Sequence, residues 1–126
     1  MNSVATDAKQ LIEEYFKSLS GQPKTEKLLE QYISDPELKE HIRVCEAAFP
    51  EYELEPNQIV AEGDLVAARC TFRGMHKGEF AGVQPTDKHV STEAMIFYRV
   101  REGRIAEHWI QMDTCGLIER LSKLID

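Results

Sequence analysis

The spacing of apolar residues along this chain changes its period at Pro50. Before Pro50, apolar side chains recur every three or four residues, which is the period of one helix face. After Pro50 they alternate with polar ones, which is the period of a half-buried strand. Helices followed by strands with short turns predict an α+β fold, in which helices cover one face of a curved, mainly antiparallel sheet. The length of 126 residues suits a single domain, residues 1–126.

Three helices are predicted in the first part of the chain. The first spans about residues 6–19 and ends at the "SGQP" segment, and a short one spans residues 25–32. The third lies within the segment "SDPELKEHIRVCEAAF", where either Ser34 or Asp35 caps the helix and Pro36 occupies its first turn.

Four strands and a closing helix are predicted after Pro50. The strand segments are "YELEPNQIVAEG", "DLVAARCTFRGMHKG", "HVSTEAMIFYRV" and "RIAEHWIQMD". The proline in the first of them indicates an edge strand or a break. Apolar residues between Cys115 and Ile125 indicate a closing helix, for which Asp113 or Thr114 is the predicted N-cap.

The charge and the cysteine content exclude several classes of protein. The formal net charge of −7 argues against a nucleic-acid surface, which needs a basic face. The chain has no run of 18 apolar residues and no basic-then-apolar leader, so neither a membrane span nor a secretory signal is expected. Three widely spaced cysteines fit neither a disulfide framework nor a zinc motif and indicate a reducing compartment. These features predict a cytoplasmic protein.

Three segments carry a resemblance to a known family. The stretches "AAFPEY", "AEGDLVAARCTFRGMHKGEFAGVQPTDKHV" and "IFYRVREGRIAEHWIQMD" resemble the SnoaL-like polyketide-cyclase and ester-cyclase group. That group belongs to the cone-shaped α+β superfamily of nuclear transport factor, ketosteroid isomerase and scytalone dehydratase. The resemblance rests on a G-x-H-x-G-x-F-x-G-x-x-P-T motif at residues 74–86 and an E-x-W-x-x-x-D motif at residues 107–113.

The resemblance implies both a pocket and a reaction. It implies a conical pocket between the sheet and the N-terminal helices, and dimerisation through the outer face of the sheet. Characterised members close a polyketide ring by an intramolecular aldol step without metal or cofactor. An aspartate at the end of the last strand is their acid/base group, and its counterpart here is Asp113. Some members carry a histidine on the strand before the final hairpin, where this chain has Glu93, so the partner of Asp113 stays open.

Asp113 is the predicted catalytic residue. It shares strand parity with Trp109 and Ile105, so the tryptophan would form an apolar wall beside the carboxylate. An apolar wall raises the pKa of a carboxyl toward neutrality, which lets one group act as both acid and base. The alternative is that Asp113 only caps the closing helix.

Six further residues are predicted to bind the substrate, and four of them have a structural alternative. His76 either lines the pocket mouth or holds a turn, and Glu93 either faces the pocket or pairs with an arginine across the sheet. Gln111 either bonds a ligand or belongs to a dimer surface. Tyr15 either closes the cone or packs in the core. The full set of predicted substrate-binding residues is Trp109, His76, Gln111, Tyr15, Phe72 and Glu93.

The remaining histidines are assigned away from the pocket. His108 has the opposite parity to Trp109, so it is expected to face outward, toward a dimer interface. His41 lies beside Lys39 and Glu40 and is expected in solvent. No two histidines have metal-ligand spacing, so no metal site is expected.

The predicted function is cofactor-independent acid/base catalysis, an aldol-type cyclisation or a related isomerisation, on a small apolar carbonyl compound. A non-catalytic protein that binds a small apolar molecule is one alternative. A dimerising module whose pocket is vestigial is the other. In each case the expected partner is a second copy of the chain, with no nucleic acid and no membrane.

Overall fold

The chain folds into four helices and one four-stranded antiparallel sheet. The computed structural model describes residues 3–123. Its elements are α1 (Ser3–Leu19), α2 (Glu26–Tyr32), α3 (Pro36–Ala48), β1 (Glu53–Glu62), β2 (Leu65–Met75), β3 (His89–Arg101), β4 (Arg104–Met112) and α4 (Thr114–Lys123). The strands lie in the order β1-β2-β3-β4 in a curved sheet that does not close. The predicted α+β class is confirmed, although residues 124–125 of the predicted closing helix lie outside the described part.

Side-chain caps determine where α2 and α3 begin. Thr25 caps α2, since its hydroxyl oxygen accepts the N–H of Leu28 at 3.2 Å. Asp35, and not Ser34, caps α3, because its Oδ1 accepts the N–H of Glu37 at 2.9 Å. Pro36 follows in the first turn, where a missing N–H breaks no helical hydrogen bond.

Tight turns join β1 to β2 and β3 to β4. Between β3 and β4 the two turn residues, Glu102 and Gly103, have φ angles of 53° and 75°. Positive φ at both central residues matches the twist of a hairpin, and glycine adopts it without steric cost. In β1 the pairing with β2 shifts between Pro56 and Gln58, so the predicted irregular edge strand is confirmed.

A β-bulge in β4 exchanges the faces of the strand. Arg99 pairs with Glu107, but Val100 pairs with Ile105, so Ala106 is an extra residue without a partner. Beyond a one-residue bulge, each side chain points to the opposite face of the sheet from the one that strict alternation predicts. Trp109 therefore faces outward with Gln111, and His108 faces inward. The predicted orientations of Trp109 and His108 were both wrong for this reason.

The core lies between the inner face of the sheet and the helices. The buried side chains of β2 include Val66, Ala68, Cys70 and Phe72, which share one face of the strand. They pack with apolar side chains of α1 and α3, and with Leu117 and Leu121 of α4. Each large apolar side chain buried in this way contributes roughly 1.5–3 kcal/mol. Among residues 3–123, no helix is long and apolar enough to cross a membrane.

Candidate functional site

A small cavity lies between α1, α3 and the inner face of the sheet. We call it the inner cavity. Its wall is mostly apolar, and its polar groups come from five residues: Tyr15, Tyr52, Tyr98, His41 and His108. Its free volume is about 30 Å³, which is room for about two water molecules. Ile110 and Met112, like the two histidines, are only partly buried, so the cavity reaches the surface on that side.

His108 and Asp35 form a close pair at this cavity. The Nδ1 atom of His108 lies 2.7 Å from Oδ2 of Asp35. The side chains are 10% and 11% exposed, so water screens the pair little. The backbone places them together, because the carbonyl of Ile105 in β4 accepts the N–H groups of Ser34 and Asp35 at 2.9 and 3.2 Å.

The contact between Asp35 and His108 determines the tautomer of the imidazole. Because a carboxylate only accepts hydrogen bonds, Nδ1 of His108 carries the proton and Nε2 has a free lone pair. The hydrogen bonds of the described residues include none to Nε2 of His108. The carboxylate of Asp35 also stabilises the imidazolium that forms when Nε2 takes up a proton. The pair is therefore suited to proton transfer at the cavity wall.

His41 faces the same cavity from α3. Its Nε2 lies 3.7 Å from Sγ of Cys45, one helical turn further along. Burial lowers the pKa of His41, and the nearby charge of His108 lowers it further. The expectation that His41 lies in solvent was wrong. Burial also raises the pKa of the Cys45 thiol to about 11, which keeps it protonated and a poor nucleophile at neutral pH.

Three tyrosines form the inner wall. Burial raises the pKa values of Tyr15, Tyr52 and Tyr98, so their phenols are protonated donors at neutral pH. The ammonium of Lys24 lies 4.0 Å from the centre of the Tyr52 ring and donates to the carbonyl of Tyr52 at 2.8 Å. Tyr15 and Phe72 are thus the two predicted substrate-binding residues that the structure places on the cavity wall.

Asp113 lies outside the inner cavity. It is exposed, and its Oδ1 accepts the N–H of Gly116 at 2.9 Å at the start of α4. This is the geometry of a helix cap. The expected apolar wall is missing because the bulge turns Trp109, which is 49% exposed, to the outer face of the sheet. A catalytic role for Asp113 stays a prediction.

Two other predicted site residues also lie on the outer face. Glu93 is exposed and pairs across the sheet with Arg69, with 3.3 Å between the carboxylate and the guanidinium. Gln111 is exposed opposite Met95. Side chains alternate along β3, so Glu93 points away from the face of the buried residues Ala94 and Ile96. This is why Glu93 does not line the inner cavity.

His76 is buried away from the inner cavity. Its Nδ1 accepts the N–H of Thr86 at 3.2 Å and lies 3.1 Å from the Thr86 hydroxyl. Its ring centre is 5.4 Å from that of Phe49. It therefore holds the segment 76–88 in place, as the structural alternative predicted.

The site that the structure assembles was only partly readable from the sequence. Asp35 was found as a cap but not as the partner of His108, because the two are 73 residues apart. The bulge that turns His108 inward has no clear local signal. Among the described residues, no three histidine, cysteine or carboxylate side chains are grouped as metal ligands.

Known proteins share this sequence pattern and fold. A nogalonic acid methyl ester cyclase of Streptomyces nogalater is 32% identical over 71 residues, which are 56% of this chain and 53% of that protein. The match thus spans about half of the relative's length. AclR of Streptomyces galilaeus, a candidate hydroxylase, is 29% identical with a TM-score of 0.80 over 97% of this chain and 85% of its own. IdmH of Streptomyces antibioticus, a candidate polyketide cyclase, is 28% identical with a TM-score of 0.68 over 94% of this chain and 98% of its own.

The family itself is shown by a match along nearly the whole chain. The sequence profile of the SnoaL-like polyketide cyclases matches residues 9–121. The fold, the motif at residues 74–86 and the E-x-W-x-x-x-D ending all lie within that match. This chain belongs to the SnoaL-like polyketide cyclase family.

Proposed function

We propose that the protein catalyses an aldol-type cyclisation, or a related isomerisation, of a small apolar carbonyl compound bound in the inner cavity. The observation that carries the proposal is the pair of Asp35 and His108 at an apolar wall. Family membership supports this type of chemistry. The curated relative is named as a cyclase of a methyl ester, which fits a carbonyl substrate.

His108 is the proton-transferring group in this proposal. Its Nε2 exchanges a proton with the substrate, and Asp35 stabilises the protonated ring. In an aldol closure a proton leaves the carbon alpha to one carbonyl, and the resulting enol carbon attacks a second carbonyl. The new alkoxide then takes up a proton, so the proton count of the protein is restored at the end. The cycle consumes no cofactor.

Substrate binding must enlarge the cavity. A volume of about 30 Å³ holds water but not a carbonyl compound of several carbon atoms. The partly buried side chains of Ile110 and Met112, next to His108, are the ones closest to the surface. We expect a ligand to enter by displacing them, because methionine in particular changes rotamer at little cost.

Deuterium exchange tests this proposal without knowledge of the natural substrate. Ethyl acetoacetate, a small β-ketoester, exchanges its alpha hydrogens with D₂O through an enol, and proton NMR follows the loss of signal. The wild type should accelerate this exchange, and His108→Gln should lower the catalysed rate about 100-fold or more, which is typical for loss of a general acid/base.

Asp113→Asn is the matched variant, since it removes the carboxylate that the family resemblance implicates. If Asp113→Asn loses the exchange and His108→Gln keeps it, the assignment to His108 is wrong and Asp113 is the acid/base group. If the wild type binds the β-ketoester without accelerating its exchange, the non-catalytic binding alternative is supported instead.

We also propose that a second copy of the chain covers the outer face of the sheet. Four large apolar side chains are exposed there: Val60, Met95, Phe97 and Trp109. Phe97 and Trp109 are directly opposite each other in the pairing of β3 with β4, so the apolar surface is continuous across the two strands. Contiguous exposed apolar surface of this kind is typical of protein interfaces.

A further inference from the structure

His41 and His108 approach the inner cavity from different elements. His41 is on α3, and His108 is on β4. Both rings line the inner cavity, and the charge of His108 contributes to the lowered pKa of His41. Only His108 was used in the proposed reaction, which leaves His41 as a partly buried titratable group without a role.

The surroundings of the two rings differ in charge. Nδ1 of His108 lies 2.7 Å from a carboxylate oxygen of Asp35. Among the described residues, the only side-chain hydrogen bond of His41 is with the neutral thiol of Cys45. Burial and the charge of His108 both disfavour a second proton on His41. His108 is thus the ring beside a carboxylate, and His41 is the ring whose surroundings favour its neutral form.

We propose that His41 is a second catalytic residue, which acts as the base at carbon while His108 acts as the acid at oxygen. The inference rests on the proposed function and divides its proton transfers between two rings. Two titratable groups with different surroundings in one cavity are a common arrangement for an acid and a base.

The steps balance as follows. The neutral imidazole of His41 takes the proton from the carbon alpha to the carbonyl, and the C–H electron pair becomes the C=C bond of an enol. Protonated His108 gives its Nε2 proton to the carbonyl oxygen. When the enol carbon attacks the second carbonyl, His108 takes back the enol proton and His41 gives its proton to the new alkoxide. Both rings return to their starting states.

This division of roles predicts the pH dependence of the reaction. The base must be neutral, so the rate falls as the pH falls through the lowered pKa of His41. The proposed acid must carry a proton, so a second, basic limb is expected, and it should depend on His108. The titratable groups that face the two rings are Asp35, Cys45, Tyr15, Tyr52 and Tyr98.

The test is the rate of deuterium exchange into ethyl acetoacetate between about pH 4 and pH 9. The wild type should give a bell-shaped profile. His41→Gln should lose the acidic limb and about 100-fold or more of the catalysed rate, and His108→Gln should lose the basic limb. The control is His89→Gln, which changes an exposed histidine at the start of β3 and should leave the profile unchanged.

The outcomes separate this inference from the proposed function. If His108→Gln loses activity but His41→Gln keeps the wild-type rate and both limbs, the role of His41 is overturned and the proposed function stands. If the wild type does not accelerate exchange, both are overturned.

An NMR titration of the imidazole signals provides a second measurement that needs no substrate. His108→Gln removes the neighbouring charge, so the pKa of His41 should rise toward the ordinary value of 6.5. An unchanged pKa of His41 would show that the two rings do not share a site and would overturn the inference.

Discussion

Asp35 has two roles at once. One carboxylate oxygen caps α3 by accepting the N–H groups of Glu37 and Leu38, and the other contacts His108. A helix N-terminus favours negative charge. The same carboxylate therefore joins the start of a helix to the proposed catalytic ring, and its two roles can be separated by substitution.

Asp35→Asn and Asp35→Ala should have different effects on stability but similar effects on activity. Asparagine caps a helix about as well as aspartate, whereas alanine lowers the free energy of unfolding by about 0.5–2 kcal/mol. Neither side chain carries the charge that stabilises protonated His108. We expect both variants to lose most of the exchange activity, while urea unfolding shows a clear loss only for Asp35→Ala. An Asp35→Asn variant with the full exchange rate would contradict the proposed role of the charge.

At the scale of elements, the segment 76–88 binds the end of α3. The N–H groups of Lys77 and Gly78 both donate to the carbonyl of Ala48, at 3.0 and 3.1 Å. A side chain at Gly78 would overlap the carbonyl oxygen of Ala47, so this close approach requires glycine. The motif at residues 74–86 thus fixes α3, the helix that presents His41 and Asp35.

Protonation of His76 should weaken the contact between the segment 76–88 and the end of α3. Burial is the main cause that lowers its pKa below 6.5, because the charged ring would lose its water. A histidine with a lowered folded pKa stabilises the fold fully above about pH 6.5, and this contribution is lost as the pH falls through the folded value. The free energy of unfolding, measured in urea, should therefore decrease from pH 7 to pH 5.

His76→Asn is the variant that isolates this effect. The amide oxygen of asparagine remains an acceptor but does not titrate in this range. His41 also has a lowered pKa and contributes a slope of the same sign, so some pH dependence should remain in the variant. If the variant has the same slope as the wild type, His76 is not responsible for it.

At the scale of the whole molecule, the two faces of the sheet differ in what covers them. The helices cover the inner face, whereas the outer face exposes the apolar cluster of Val60, Met95, Phe97 and Trp109. A second copy would bury this cluster and leave the entry to the inner cavity free, because the cavity lies on the opposite face.

Trp109→Glu should convert a dimer into a monomer. A charge in the centre of an apolar interface is unpaired and desolvated, so the dissociation constant should rise about 100-fold or more, which corresponds to about 3 kcal/mol. Analytical ultracentrifugation measures the change. Val44→Glu is the control, since Val44 is an exposed apolar residue on α3 and not on the sheet. A wild type that sediments as a monomer at high micromolar concentration would contradict the proposed dimer.

Much of the fold was predictable from the sequence, because apolar period and cap residues are local properties. The four helices and the four strands follow from the spacing of apolar residues and from the residues that bound each segment. The site was less predictable. Of the predicted catalytic and substrate-binding residues, Tyr15 and Phe72 lie on the cavity wall, and their inward parity was readable from regular elements.

The orientation of β4 and the contacts across the cavity depend on the tertiary structure. The bulge at Ala106 lies next to Ile105, whose side chain is buried and whose carbonyl binds the residues before α3. These packing constraints come from distant parts of the chain. One extra residue moves every later side chain of the strand to the opposite face of the sheet. The sequence alone therefore determined which segments are helices and strands. Only the tertiary structure decided that His108, and not Trp109, meets Asp35, because that contact depends on how segments 73 residues apart pack together.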